Sequence, residues 1–318
     1  MGVKIYDSKK IYLVNYSADL KDVDTSGEST ITFRCPLPCT FASQPILEVT
    51  EVSPMPLLQN YQNCMIQQVT KYKNNSDKNV FNQSFVISVY EVRTEVNPEK
   101  TVSLSNVNDA FYTKYTTADE ITPADDEKLV ALYKEIVGKE KNKYKRARLI
   151  YEYMCSNYDL LKRPRRSDAD PLDLVTKHRG DAYDFAVIYV ALLRTAGIPA
   201  IVDSGILVDK DMETQSHWWC EFYLNGYGWI PVDVALGSGY EYKDWGDVAD
   251  CYTYYFGNLD SHHITFSRGL KEMKPFAQEN KIVQYKKSFA LQTIWEESSD
   301  IINKYTSYWS LPKIRGVY

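Results

Sequence analysis

The stretch that decides the fold is HRGDAYDFAVIYVALLRTAGIPA, residues 178–200. Asp181 is a favourable N-cap residue, and Asp184 three positions later can accept from the Asp181 amide, so the two can form a capping box. Gly197 suits the left-handed position just after a helix, and Pro199 cannot continue one. The residues between are apolar on nearly every side. The sequence therefore predicts a buried helix that begins directly after Asp181.

The first residue of this predicted helix is Ala182, which carries no reactive group. The unpaired amides and the positive dipole end at a helix N-terminus stabilise a thiolate and lower the pKa of a cysteine there. The same amides can donate hydrogen bonds to an oxyanion. On this segment alone, however, a capped helix with a small residue at a tight packing contact explains the pattern without any chemistry.

A second informative stretch is SHWWCEFYLNGYGWIPVDVALG, residues 216–237, which predicts a β-hairpin. Side chains alternate along a strand, so His217, Trp219 and Glu221 should share one face of its first strand. Cys220 should point to the opposite face. A histidine alone on a strand is more often structural than catalytic, so the partner strand decides its meaning.

The length of the hairpin loop decides whether Asp233 can meet His217. A two-residue loop at 225–226 would put Asp233 opposite Trp218, on the wrong face. A three-residue loop, which we place at 226–228 with its last glycine left-handed, would put Asp233 on the His217 face. An imidazole backed by a carboxylate is the orienting half of a nucleophilic triad.

Composition bounds the class of protein. The chain has 318 residues, 44% of them hydrophobic and 25% charged, with a net charge of −5, which is ordinary for a globular protein and argues against a nucleic-acid partner. No apolar run is long enough to span a membrane. The first residues lack a signal-peptide core, so we expect a cytoplasmic protein or an exported one whose signal has been removed. The six cysteines show no metal-ligand spacing, and we expect neither a metal nor a cofactor.

The chain divides by pattern into three parts. Residues 1–110 carry short β-branched and aromatic runs separated by turn residues, which predicts a small β-sandwich domain. Residues 111–270 form the predicted core, with two helices over 120–160 that are broken near Gly138. We expect residues 271–318 to be an extension packed on the core or on the N-terminal domain.

The segments GDAYDFA, ALLRTAGIPA, HWWCEF and GWIPVD follow one another in fixed order. In this order they resemble the transglutaminase-like superfamily, over about residues 150–260. FRCPLP and SQPILEVTEVSPMP resemble the sandwich that often precedes this core in bacterial members, and YYFGNLDSHHITFSRG resembles the segment that follows it. The resemblance implies an α+β fold: a papain-like or transglutaminase core, with helices packed on an antiparallel sheet, preceded by a small β-sandwich domain.

Members of this superfamily are papain-like Cys-His-Asp enzymes that attack an amide or peptide carbonyl through a thioester. The resemblance places the nucleophile at Ala182, the base at His217 and its orienting carboxylate at Asp233. The amide of residue 182 would form half of an oxyanion hole, and we expect Tyr158 or Asn157 to supply the other half. With alanine at this position the chain cannot form the thioester.

The resemblance also implies roles for residues around the predicted triad. Asp181 should support the helix start, and Trp219, Glu221 and Trp245 should line the substrate cleft. Cys220 cannot replace the nucleophile because its side chain faces away from His217.

The alanine has two explanations, a cysteine replaced deliberately or a natural pseudoenzyme, and the first is favoured because His217, Asp233 and the cap residues all stand in place. With water as acceptor no second binding site is needed, so peptide or amide hydrolysis is a simpler prediction than cross-linking. No calcium-loop pattern is present in the sequence. The alternatives are a non-catalytic module that binds a peptide or a glycan, and a purely structural protein. A peptide or protein substrate is the expected partner, and the sequence leaves the oligomeric state undetermined.

Overall fold

The computed structural model describes residues 3–318 except 72–73, 75–76, 102–108, 167, 247, 278–279, 286 and 293. The residues just before the predicted boundary at 110 therefore lie partly outside the described residues. Strands within the described residues are β1 (Val3–Thr25), β2 (Ser29–Pro36), β3 (Ile46–Ser53), β4 (Leu58–Tyr61), β5 (Cys64–Lys71), β6 (Asn79–Glu95), β7 (Asp159–Leu160), β8 (Arg179–Gly180), β9 (Ala200–Val208), β10 (Thr214–Leu224), β11 (Gly228–Val232), β12 (Asn258–Leu259), β13 (His263–Arg268), β14 (Lys281–Gln284), β15 (Trp295–Ser298), β16 (Ile302–Trp309) and β17 (Lys313–Val317). The α-helices are α1 (Asp109–Thr116), α2 (Glu127–Val137), α3 (Lys143–Asn157), α4 (Asp173–Lys177), α5 (Ala182–Thr195), α6 (Val234–Gly237) and α7 (Cys251–Tyr254).

The fold is α+β with antiparallel sheets, which confirms the predicted class. Within the described part of the chain, no helix combines the length and the hydropathy that a membrane crossing requires. The chain folds into two compact units, each assembled from separate segments. We call them the core unit and the sandwich unit.

The core unit contains Tyr90–Asp203 and His217–Ser261, together with the first residues up to Ser8. Its centre is α5, against which α1, α2, α3, α4 and α6 pack. The two predicted helices are confirmed as α2 and α3, and the chain leaves α2 through Gly138, whose φ of 55° suits glycine. Because helices surround it, α5 can be apolar on nearly all sides, and every residue from Ala182 to Arg194 is buried.

The sandwich unit contains Lys9–Val89, Ser204–Ser216 and His262–Tyr318. One of its sheets contains β6, β1 and β16, with β3 paired to β6 and β17 to β1; the other has the order β14-β15-β2-β5-β4. Phe33 of the second sheet and Phe81 of the first lie with ring centroids 4.4 Å apart. The two sheets therefore share an apolar interior, as in a sandwich.

The C-terminal tail contributes strands to this sandwich. β16 and β17 both pair with β1 of the first sheet, and β15 lies between β14 and β2 of the second. The sequence analysis predicted an extension packed on the core or on the N-terminal domain. Within the sandwich unit the tail supplies strands that pair with β1 and β2, whose backbone groups would otherwise be exposed at an edge.

Candidate active site

The start of α5 is held by a reciprocal capping box. The Asp181 side chain accepts from the Asp184 amide at 3.1 Å, and the Asp184 carboxylate accepts from the Asp181 amide at 2.9 Å. Gly180 precedes the cap because a Cβ there would lie 2.9 Å from Asp184 Cβ. The predicted cap is therefore confirmed, and Ala182 is the first helical residue.

Arg165 braces this cap and was missed by the sequence reasoning. Its Nε donates to Asp184 Oδ2 at 2.6 Å, its Nη1 to Asp173 at 2.9 Å, and its backbone amide to Asp181 Oδ2. The hydrogen bond to Asp184 raises the pKa of Arg165 above its ordinary value. The positive charge of the guanidinium thus offsets the negative charges of Asp184 and Asp181, which would otherwise disfavour an anion at the helix start. The run RPRR contained it, but nothing local indicated its partner.

The β10–β11 hairpin has the odd loop that the triad geometry requires. Cys220 pairs with Val232, and Leu224 pairs with Gly228, so residues 225–227 form the loop. The predicted loop length is confirmed, although the loop lies one residue earlier than expected. Gly228 has the expected left-handed backbone, with φ of 76°, and closes the loop as the first residue of β11.

This register brings His217 and Asp233 together. His217 Nε2 lies 2.7 Å from Asp233 Oδ2, and both side chains are completely buried. Asp233 is itself held in place: its Oδ1 accepts from the Leu236 amide at 2.8 Å as the N-cap of α6, and its own amide donates to the Tyr255 carbonyl. A carboxylate fixed by its own helix cap orients the imidazole that it contacts.

The contacts between α5 and β10 place the helix start at the same end of β10 as His217. The Tyr183 and Trp218 rings lie 5.7 Å apart, and one turn along the helix the Cys220 thiol contacts the Ala186 carbonyl at 3.6 Å. Helix and strand therefore run side by side, with residue 182 at the same end as His217. The structure gives this proximity from neighbouring contacts, and hydrogen-bond reach between the two positions stays a prediction.

Cys220 is in no position to act as a nucleophile. Its thiol contacts the backbone of α5 at the Ala186 carbonyl, 3.6 Å away. Burial raises its pKa well above the ordinary value, so the reactive thiolate is disfavoured.

The two oxyanion candidates differ in placement. The Asn157 side-chain amide donates to the Tyr153 carbonyl of its own helix at 2.8 Å, so this donor is already used. Tyr158 is buried and packs edge-on against Phe185 of α5, with ring centroids 6.4 Å apart. Burial raises the pKa of Tyr158, which keeps its hydroxyl protonated as a donor.

Two of the three predicted cleft residues, Trp219 and Glu221, are buried. Trp219 is 1% exposed, with its ring 6.2 Å from that of His217, and Glu221 is 8% exposed. Both side chains therefore offer almost no surface to a ligand. Trp245 is half-buried. A substrate-contacting role for the three stays a prediction.

A cavity of about 360 Å³ opens beside the histidine. Its walls include Cys155, Tyr158 and Tyr240, and the Tyr240 ring lies 5.4 Å from that of His217. Burial raises the pKa of Tyr240, and the charges of Asp233 and Asp181 raise it further. Tyr240 therefore adjoins both the cavity and the buried pair as a neutral side chain, a role that no sequence pattern indicated.

Comparison with known proteins matches residues 130–234 to a family described as the transglutaminase-like superfamily. An uncharacterized protein of Haemophilus influenzae is 29% identical over 168 residues, which cover 42% of this chain and 44% of that protein. The chain thus spans less than half of that relative's length.

Among solved structures, a proposed cysteine protease from Cytophaga hutchinsonii aligns with a TM-score of 0.54 at 16% identity, covering 93% of this chain and 99% of that one. This likeness concerns the fold. The periplasmic domain of TgpA from Pseudomonas aeruginosa aligns with a TM-score of 0.39 at 13% identity, covering 72% of this chain and 87% of that one.

Proposed function

Residues 130–234 of this chain belong to the transglutaminase-like superfamily, and from that premise we propose a site organised for Cys-His-Asp acyl transfer. The reaction is hydrolysis of a peptide or an amide through a thioester. Ala182 occupies the position of the nucleophile, so the chain as written lacks the thiol that the reaction needs. His217 is the base, and Asp233 orients it.

The observation that carries this proposal is the buried His217–Asp233 pair at the end of β10 that adjoins the capped start of α5. Its parts lie on elements held by backbone pairing and by caps. A merely structural histidine does not require a carboxylate partner, an odd hairpin loop and a helix N-terminus at one place.

In the proposed chemistry a thiol at position 182 gives its proton to His217, and the thiolate attacks the carbonyl carbon of the substrate. The resulting oxyanion accepts hydrogen bonds from the amide of residue 182 and from the Tyr158 hydroxyl. His217 then gives its proton to the departing amine, and a C–S thioester replaces the C–N bond. Water, deprotonated by His217, attacks the thioester and releases the acid and the thiol.

Introducing the thiol tests this proposal directly. In the Ala182→Cys variant the new thiol should react with iodoacetamide at pH 7 at least about tenfold faster than an ordinary cysteine, because the helix N-terminus and protonated His217 stabilise its thiolate. Mass spectrometry of the labelled peptides measures the rate at each cysteine. The reference is the rate of free cysteine, because Cys155, whose pKa burial raises to about 11, should react more slowly than an ordinary cysteine.

The matched control is His217→Ala in the same background. It should slow alkylation of the introduced thiol roughly tenfold, whereas Cys220→Ala should leave the rate unchanged. A thiol that reacts at the ordinary rate, with or without His217, would falsify the acyl-transfer proposal.

Ala182 itself supports a second candidate, a natural pseudoenzyme that binds a peptide or a glycan without cleaving it. This candidate predicts saturable binding to the chain as written, and no hydrolysis of the bound ligand by the Ala182→Cys variant. Calorimetric titration with the ligand, followed by a hydrolysis assay on both proteins, separates the two candidates.

A further inference from the structure

The short strand pair β7–β8 lies directly before the reacting position in the chain. Asp159 donates its amide to the His178 carbonyl at 2.8 Å, and Leu161 donates to the Gly180 carbonyl at 2.7 Å. The pairing is parallel, with Leu160 opposite Gly180. Two residues beyond Gly180 the chain reaches Ala182, so β8 connects this pair rigidly to the start of α5.

The second edge of β7 faces away from β8. Amides alternate in direction along a strand, and those of Asp159 and Leu161 both point to β8. The N–H and C=O of Leu160, between them, therefore point to the opposite edge. In the part of the chain that the structure describes, β8 is the strand paired with β7.

This edge belongs to the cavity beside the histidine. Asp159 and Leu160 both line the cavity of about 360 Å³, and Tyr240 lines it as well, against His217. An exposed strand edge within a pocket is the arrangement by which proteins bind an extended peptide through its main chain. The volume suits a short segment of a ligand.

We propose that the open edge of β7 binds the substrate as an extended peptide, with main-chain hydrogen bonds to the N–H and C=O of Leu160. The proposal rests on the proposed function and narrows its substrate class. The substrate is a peptide with secondary amides next to the attacked carbonyl, and a free primary amide or a small amide lacks the groups that Leu160 pairs with. Leu160 lies opposite Gly180, two residues before position 182.

The rest of the lining is polar and indicates the kind of side chain accepted. Tyr158 and Tyr240 are kept protonated by burial, and Ser238 adds a third hydroxyl. Lys162 forms an ion pair with Glu241 at the rim, where both side chains are largely exposed. A small polar side chain of the peptide fits this cavity better than a large apolar one, because it can pair with these groups.

Two probes used on the Ala182→Cys variant test the edge. Iodoacetamide reports on the thiol alone, whereas acetyl-Ala-Ser-Ala chloromethyl ketone also carries a peptide main chain. Leu160→Pro removes the N–H of residue 160 without removing a β7–β8 hydrogen bond, since that N–H points away from β8. It should lower the alkylation rate of the peptidyl probe by about tenfold and leave the iodoacetamide rate unchanged. Leu160→Ala, the matched control, keeps the N–H and should react like its parent.

A second measurement avoids any change in the protein. A series of the same probe, N-methylated at one amide at a time, should show one position at which methylation costs about tenfold in rate and others with little effect. If Leu160→Pro and Leu160→Ala react alike, and no methylated position matters, the edge does not bind the peptide. Fast alkylation by iodoacetamide in that case would leave the acyl-transfer proposal standing. Slow alkylation by both probes would overturn the acyl-transfer proposal and, with it, the edge.

Discussion

Two fully buried pairs of ionisable groups, one in each unit, show how similar burial serves different purposes. In the sandwich unit Arg34 Nε lies 3.2 Å from Glu297 Oε1, and in the core unit His217 Nε2 lies 2.7 Å from Asp233 Oδ2. All four side chains are completely inaccessible to solvent. The difference between the pairs lies in what surrounds each one.

Arg34 is enclosed by acceptors and aromatic rings. Its remaining nitrogens donate to Gln62 Oε1 at 3.1 Å and to the Lys274 carbonyl, and its guanidinium lies 4.0 Å from the Trp295 ring centroid. Glu297 accepts in turn from the Trp295 indole and from backbone amides at 276 and 277. Arginine does not lose its proton at any ordinary pH, so this pair is a permanent structural link between β2 and β15.

His217 and Asp233 differ because an imidazole can accept a proton in one step of a reaction and donate it in the next. The pair lies near a helix N-terminus and a polar cavity, and Tyr240 adjoins both the pair and the cavity. Burial alone therefore does not identify a functional pair. A functional pair is identified by a group that can exchange a proton and that lies where charge can develop during a reaction.

The largest expected effect on folding is in the sandwich unit. Arg34→Met leaves Glu297 buried without its cation, and should lower the free energy of unfolding by about 3–5 kcal/mol. Urea denaturation measures the loss. In the Ala182→Cys background the same change should leave the iodoacetamide rate of the folded protein unaltered.

The double variant Arg34→Met/Glu297→Leu sharpens this test. Removing both charges should recover much of the loss, because no buried charge remains uncompensated. A double variant as unstable as the sum of the two single variants would mean that the link does not act as a charge pair.

The next effect concerns chemistry in the core unit. Asp233→Asn in the Ala182→Cys background should slow alkylation by iodoacetamide roughly 10- to 100-fold, because the imidazolium that stabilises the thiolate loses its carboxylate. Asparagine still caps α6 as aspartate does, so the fold should be kept. An unchanged alkylation rate, with circular dichroism like that of the parent, would place Asp233 among structural residues.

A smaller effect is expected at the helix start. Asp181→Ala removes a cap and should cost about 1–2 kcal/mol in the free energy of unfolding. Asp126→Ala, at the half-buried N-cap of α2, is the matched control and should cost less. The Asp181 carboxylate is buried and also accepts from the Arg165 amide, whereas that of Asp126 is half-buried and accepts from the Lys128 amide. Equal losses in thermal denaturation would contradict the bracing role of Arg165.

The smallest effect is expected at the rim of the cavity. Lys162→Ala breaks an ion pair whose two side chains are each 72% exposed. Solvent screens such a pair, so the unfolding midpoint should not move measurably. A clear loss of stability would show that the Lys162–Glu241 pair stabilises the fold although both side chains are exposed.

Local signals were enough for much of the core unit. The capping box at Asp181, the glycine that ends α2, the break between α2 and α3, and the alternation along β10 depend on residues a few positions apart. Each follows from rules of backbone geometry that hold wherever the segment lies. The candidate base and its orienting carboxylate were predictable for the same reason, since a hairpin joins them.

The partners of several side chains and strands could not be predicted from the sequence, because these partners lie far away along the chain. The odd loop that unites His217 and Asp233 was predicted, but its position was not, because loops at 225–227 and at 226–228 both bring the two residues to one face. Arg165 meets Asp184 across 19 residues, and the tail strands β15 and β16 pair with β2 and β1 across the length of the chain. The sequence by itself determined the local elements and the order of the site residues. Only the tertiary structure decided their partners, because strand pairing and buried charge compensation are satisfied by whichever distant segment the packed core brings into contact.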